Sequence, residues 1–365
     1  MNLFAERRDR LRTQLGLTKQ TPLLVTNLIN VGYLTGFTGS SAWLIVTGDR
    51  ELLISDSRYA TQLIDECPEI ECEIRDASST QLETLARVIQ AFKFCSLVYE
   101  SESLTKSAFD QMKSTLASIE LIDSKKAVEQ LRSIKDESEI AAIRQSIRVN
   151  QQTMQVIRAQ LRPEQTELEI SHQLEHQMRL FGASGVAFTP SVAAGSRSAL
   201  PHAQASNRQI GSESFLRIDW GAKVNRYASD LTRIFVTGKI SPKLRNIYQI
   251  VLAAQTAAIA QIRSGVSFKT VDAAARAVIE TAGFGKNFGH GTGHGFGLEI
   301  HETPFLSPIQ DGRLVPGMVI TIEPGIYLPD WGGVRIEDDI LVTTDGCEVL
   351  SDLPRELEQC QVDFV

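Results

Sequence analysis

Two stretches of the chain, FLRIDWGAKVNRYASDLTRIF (residues 215–235) and VITIEPGIYLPDWGGVRIEDDILV (residues 319–342), each read as a pair of apolar antiparallel strands with an acid on either arm. If Val224-Asn225 forms the first turn, Asp219 faces Asp230; if Pro329-Asp330-Trp331 forms the second, Glu323 faces Glu337. Opposed residues on one face of an antiparallel ladder hold their Cβ atoms about 4.5–5.5 Å apart, and like charges set there cost stability. A single Asp or Glu is ordinarily a solvated surface charge. Two opposed pairs on apolar strands are harder to place, and hard divalent cations held among carboxylate oxygens make such repulsion favourable.

An imidazole accompanies them. In NFGHGTGHGFGLEIHE glycine recurs at 289, 291, 293, 295 and 297, an alternation that in a strand strips one face of side chains and lets other backbone approach closely. His290 and His294 would share the opposite face. The run has no G-x-G-x-x-G spacing and no helix start after Gly297, so it does not read as a phosphate cradle. A lone His is more often packed core than ligand, but four of the six histidines, His202, His290, His294 and His301, fall beside these strands. The other two lie in HQLEH, residues 172–176, which fits the H-x-x-E-H pattern of an inverted zinc-protease helix. There the helical period places Leu168, Leu174 and Met178 on an apolar face and His172, Glu175 and His176 on the solvated one, so the match reads as fortuitous.

With 365 residues, 42% of them hydrophobic, the chain is long enough for about two domains with real cores. A net charge of −7 and the lack of a basic run leave no footprint for nucleic acid. No apolar run approaches the roughly 20 residues of a bilayer span, and MNLFAERRDRLRTQLG reads as an amphipathic helix rather than a secretion signal. The five scattered cysteines, without C-x-x-C spacing, read as free thiols in a reducing cytosol, and a cytoplasmic protein is expected. Residues 1–125 alternate strand-like runs (LLVT, AWLIV, ELLIS, SLVYE) with helical ones, an α/β unit. IDSKKA marks the junction to residues 126–365, where a long helical pattern begins at AVEQLRS. Two halves of similar outline follow: helices then strands with Asp219 and Asp230, and helices (residues 244–263 and 271–282) then strands with His294, Glu323 and Glu337.

These strings resemble the pita-bread metallopeptidases, in particular the proline-directed branch containing aminopeptidase P and prolidase. The resemblance is carried by PHA (201–203), DWG (219–221), SDLTR (229–233), GHGFGLEIHE (293–302), EPGIY (323–327) and GGVRIEDD (332–339). NVGYLTGFTGS (30–40) and DSRY (56–59) extend it to the companion creatinase-like N-terminal domain. It implies an α/β (α+β) fold and two divalent cations: Asp219 on one, His294 and Glu323 on the other, Asp230 and Glu337 bridging both. An oxygen-rich set with one imidazole suits Mn²⁺ or Co²⁺, and a mixed site also accepts Zn²⁺.

The same resemblance assigns proton transfer to Glu323, makes His202 and His301 contacts of the scissile peptide, and gives His290 and Arg335 roles in orienting substrate. Tyr227, Thr232, Asp338 and Asp339 are candidates for holding the ligands in place. The expected substrates are short peptides with proline second, cleaved by a homodimer or homotetramer. Some prolidases place an arginine three residues beyond the Glu of the HE pair to meet a dipeptide's carboxylate; Phe305 stands there, which leans toward an Xaa-Pro aminopeptidase over an Xaa-Pro dipeptidase. Arg197, Arg313 and Arg335 remain as carboxylate partners. Metal-free creatinase-like enzymes and peptide-docking relatives lose several ligand positions that are intact here. Methionine aminopeptidases usually lack the large N-terminal domain.

Overall fold

A computed structural model describes residues 3–364, and the chain divides into two compact units, Met1–Leu131 and Arg132–Val365. In the first, the apolar runs become the inner strands of a six-stranded mixed sheet, ordered Glu71–Arg75, Glu51–Asp56, Ala42–Val46, Leu23–Val25, Ser96–Tyr99, Glu120–Asp123. The two edge strands, ECEIR and ELID, are exposed at most positions. With one side open to solvent they need no apolar run, so the sequence gives no sign of them. The helix Gln81–Phe92 starts with a Thr80/Glu83 capping box and packs Leu85, Val88 and Ile89 over the sheet.

The sequence places the junction at 125/126, and the division falls after Leu131. Lys125 and Lys126 do break the chain direction, with φ of 52° and 61°, but the helix Ala127–Ser133 that follows contributes residues to both sides of the division. The long helical pattern beyond is also interrupted. Asp136 caps a new helix, Glu137–Ala159, accepting from the N–H groups of Ser138 and Glu139.

The second unit has the expected twofold outline. Helices Glu137–Ala159 and Glu167–Leu180 precede the strands Ser191–Ala194, Phe215–Trp220 and Leu231–Val236; helices Pro242–Ile259 and Phe268–Thr281 precede Gly293–Gly295, Glu302–Leu306, Val319–Ile322 and Asp338–Val342. Each helix pair buries an apolar face, Ile170, Leu174 and Met178 in the first half and Val251, Val271 and Ala275 in the second. Among the described residues no helix is long and apolar enough to cross a membrane.

One expected register is corrected. Asp219 pairs with Thr232, not Asp230, and the tip pairs Val224 with Tyr227. The turn is therefore Asn225-Arg226, with φ of 49° and 75°. A two-residue hairpin turn of this kind needs positive φ at both centres, which Asn tolerates and β-branched Val224 does not. The second register stands: Gly325 pairs with Arg335 and Ile322 with Asp338, so Glu323 and Glu337 fall opposite one another, in a gap between two ladders.

Candidate metal centre

His294 sits at the middle of its three-residue strand. A Cβ on Gly293 would come 1.9 Å from the Thr321 carbonyl oxygen, and one on Gly295 2.4 Å from that of Thr303. The flanking strands can close on this one only because both residues are glycine. The strand is shorter than the glycine alternation suggests, spanning Gly293–Gly295 alone. The close approach lets the His294 N–H donate to Thr321 Oγ1 at 3.0 Å.

The imidazole Nδ1 lies 3.0 Å from the Gly295 carbonyl oxygen. A carbonyl only accepts, so Nδ1 carries the proton and Nε2 presents a lone pair. That lone pair meets Glu323 Oε1 at 3.3 Å and Asp230 Oδ2 at 3.6 Å. Burial lowers the imidazole's pKa to about 4, so at neutral pH a proton on Nε2 does not reconcile these groups.

The ligand atoms of Asp230, His294 and Glu337 lie within 4.8 Å of one another, and all three residues are buried. Glu323 joins them through His294. Asp219 is held at the side: its Oδ2 accepts from the Arg335 guanidinium, while its buried Oδ1 has no partner. Burial, followed by repulsion from neighbouring acids, pushes Asp230 and Glu337 well above the usual carboxylate range. Burial raises Glu323 in the same direction. Burial also works against the charge of Arg335, but Tyr327, Asp219 and Glu323 more than offset it. Hard oxygens in excess, one imidazole nitrogen with its lone pair turned inward, and an unpartnered carboxylate oxygen together fit divalent cations.

The four residues named as candidates for holding the ligands in place lie as follows. Thr232 Oγ1 donates to Glu337 Oε2 at 2.6 Å and accepts from Arg335 Nε at 3.0 Å. Asp339, opposite Thr321, accepts the Asp230 N–H at 3.2 Å. Asp338 is bound by Arg233 Nη2 at 2.7 Å. Tyr227 belongs elsewhere, donating to Glu139 at 2.9 Å. Arg217, buried on the Asp219 strand, donates to the carbonyls of Ser198, Leu200 and Pro201, and so anchors the segment leading to His202. A charge inside the apolar string FLRIDW is the signal that could have singled it out.

His202, His290, His294, His301, Phe305, Glu323 and Arg335 line one cavity of ≈ 310 Å³. His301 meets His294 edge-on with ring centroids 4.5 Å apart. His290 Nδ1 donates to the Gly291 carbonyl at 2.7 Å, and its Nε2 accepts from the Tyr327 hydroxyl at 2.9 Å. That hydroxyl in turn accepts from Arg335 Nη1 at 3.0 Å. Arg197 and Arg313 are absent from the lining; Arg197 pairs with Glu167 at 2.9 Å and Arg313 donates to the Gly265 carbonyl at 2.7 Å. His172 and His176 are exposed, and Glu175 between them pairs with Arg179.

Residues 141–344 match the description Metallopeptidase family M24, and residues 7–134 the Creatinase/Prolidase N-terminal domain. The chain belongs to metallopeptidase family M24. Within it, the protein is 34% identical to the Xaa-Pro dipeptidase of Pyrococcus horikoshii over 336 residues, covering 92% of this chain and 93% of that one. Its fold superposes on the Xaa-Pro dipeptidase from Bacillus anthracis with a TM-score of 0.91 at 38% identity, covering 97% and 99% of the two chains. The X-Pro aminopeptidase from Thermotoga maritima gives 0.87 at 36% identity, covering 95% and 99%. This M24 protein is a pita-bread hydrolase of the Xaa-Pro peptidase group with a creatinase-type N-terminal domain, a family that uses divalent metal ions.

Proposed function

We propose that the protein is an Xaa-Pro dipeptidase working with two divalent cations. The observation that carries this is the buried group of Asp230, His294 and Glu337, with ligand atoms within 4.8 Å, behind a cavity of only ≈ 310 Å³. That volume lies at the small end of the roughly 300–1,000 Å³ of ligand pockets and suits a dipeptide. Relatives named Xaa-Pro dipeptidase that align along nearly the whole chain support the same substrate.

In this reading Asp230 and Glu337 would serve both ions, Asp219 one, and His294 and Glu323 the other; Mn²⁺ fits best, with Co²⁺ or Zn²⁺ as alternatives. The cations would supply Lewis-acid polarisation of the scissile carbonyl and an acidified water. Glu323 would accept the water's proton on Oε2, the oxygen 3.9 Å from Arg335 Nε, and return it to the proline nitrogen as the bond breaks. His202 and His301, both on the cavity wall, donate to the carbonyl oxygen as it gains charge. His290 is fixed by Tyr327 to face the substrate. Arg335 is committed to Asp219, Thr232, Tyr327 and Pro201. The substrate's carboxylate is therefore left to neutral donors such as Ser307 and Gln310, which line the same wall.

One observation favours the aminopeptidase reading: Phe305, 40% exposed, occupies the lining where some prolidases carry arginine. Xaa-Pro dipeptides and Xaa-Pro-Yaa tripeptides supplied with Mn²⁺ separate the two. Faster turnover of dipeptides is expected. Turnover of tripeptides alone sinks the dipeptidase reading, and cleavage of neither, with tight binding of a protein partner, points to a docking module.

A further inference from the structure

The strand pair that carries Glu323 and Glu337 has a break in its ladder. Pairing runs in one register from Val319–Leu341 to Ile322–Asp338 and resumes at Gly325–Arg335. Across the break the backbone groups go elsewhere: the Glu323 N–H donates to the Thr292 carbonyl at 2.8 Å and the Glu337 N–H to the Thr232 carbonyl at 3.2 Å. Pro324 has no N–H to give. The carbonyls of Ile322 and Ile336, immediately before the two glutamates, are taken by a side chain from outside the sheet. Gln255, on the helix Pro242–Ile259, places Nε2 3.2 Å from each of them and 2.9 Å from Asp338 Oδ2. Three acceptors around one nitrogen identify which end of the amide is the donor.

Gln255 is fully buried, on a helix face otherwise made of Leu244, Ile247, Tyr248, Val251, Ala254 and Ala258. Its Oε1 has no partner. A buried, unsatisfied amide oxygen is unfavourable, so helix packing alone does not account for glutamine there. The role lies at the nitrogen. Asp338, held on one oxygen by Gln255, is held on the other by Arg233 Nη2 at 2.7 Å, and Arg233 Nη1 reaches the Glu337 carbonyl at 2.5 Å. Both arms of the break are thus tied from behind.

We propose that Gln255 is a positioning residue for the cation site: its amide joins the backbone carbonyls behind Glu323 and Glu337 across the gap and so sets the separation of the two carboxylates. This rests on the two-cation reading. Outer partners of metal ligands typically change affinity by about 10–100-fold when removed. The test is titration of chelator-treated protein with Mn²⁺ by calorimetry and with Co²⁺ by visible absorption, beside a thermal melt of the metal-free form. Gln255→Met keeps the volume and removes the donor, and Gln255→Asn keeps the amide but not the reach. Both are expected to weaken the looser of the two ions by about 10-fold or more and to alter the Co²⁺ spectrum, and Gln255→Met, which takes the donor from three buried acceptors, should also lower the metal-free melting temperature. Val251→Ala, on the same buried face, should lower that temperature and leave the isotherm unchanged. Isotherms of both Gln255 variants that overlay the wild type, or an equal loss in Val251→Ala, overturn the positioning role alone. Wild-type protein that takes up no Mn²⁺ or Co²⁺ overturns the two-cation reading and this inference with it.

Discussion

On the first strand pair Asp219 lies opposite Thr232; on the second, Thr321 lies opposite Asp339. In both, this acid–hydroxyl rung stands at the same remove from a break in the ladder, and the break carries Asp230 in the first pair and Glu323 with Glu337 in the second. The plan is shared, with acid and hydroxyl exchanged between arms. Asp219, on the outgoing arm, keeps 13% of its side chain exposed and points one buried oxygen at no protein group. Asp339, on the returning arm, is fully buried behind Asp230, whose N–H it accepts on Oδ2, and its buried Oδ1 likewise meets no protein group. Both threonines serve the second pair: Thr232 donates to Glu337 and Thr321 to Glu323. Each of these two acids thus leaves one oxygen unpartnered, and they differ in what holds the other, the Arg335 guanidinium for Asp219 and the Asp230 N–H for Asp339.

The sharpest way to break this comparison is to neutralise the two acids separately. Asp219→Asn neutralises the acid held by Arg335 and is expected to lower turnover by more than the roughly 100-fold typical of outer partners, with fewer ions bound per chain by elemental analysis. Asp339→Asn keeps an acceptor for the Asp230 N–H and should leave the ion count intact. Equal loss of ions in the two variants would show that Asp339 belongs to the cation set and that the arms are not different in kind.

A smaller effect separates the two hydroxyls. Thr232 donates across 2.6 Å to a fully buried Glu337, whereas Thr321 lies 3.3 Å from Glu323, a long bond. Thr232→Val should weaken Mn²⁺ binding by about 10–100-fold, and Thr321→Val should weaken it less, read by the same titration. The reverse order would mean that the His294 N–H, which Thr321 also accepts, is the contact that matters more.

Much of this was legible from the residues. The register of the second pair follows from the Pro329–Trp331 turn and places Glu323 against Glu337 without any structure. The first register slips because Val224 was placed in a turn whose backbone suits Asn225. Asp219 and Asp230 still act on one another, but through a displaced pairing. The glycine run correctly announces close backbone approach at Gly293 and Gly295, and misleads about strand length. The supports are invisible for a simpler reason. Gln255, Arg217 and Tyr327 lie far along the chain from most of what they hold, and a polar residue in an apolar segment signals a partner without naming it.

The gentlest probe of the two arms is pH, and its sign can be worked out. In the metal-free protein burial raises Asp230, Glu337, Glu323 and Asp339 above the value of about 4 that they have in an unfolded chain. A raised acid keeps its proton when folded at a pH where the unfolded chain has lost it, so its contribution to stability is full below the unfolded pKa and disappears as pH climbs through the folded one. His294, lowered to about 4, runs the other way: between about pH 4 and 6.5 only the unfolded chain protonates it, so its contribution is present above 6.5 and is lost as pH falls. Burial lowers His290 and His301 as well, so three imidazoles oppose the four acids below about pH 6.5 and cease to oppose them above it. Chelator-treated protein should therefore melt at progressively lower temperature from about pH 6.5 to 8, by about 2–4 °C for each kcal/mol lost. Mn²⁺ binds the deprotonated carboxylates, so its stabilisation should grow over the same range and cancel the slope due to Asp230, Glu323 and Glu337. Asp339, outside that set, should leave a residual slope in the loaded protein that Asp339→Asn removes. A metal-free melting temperature that is flat or rises with pH would mean that these acids are not held protonated by burial, and the distinction between the two arms would lose its electrostatic basis.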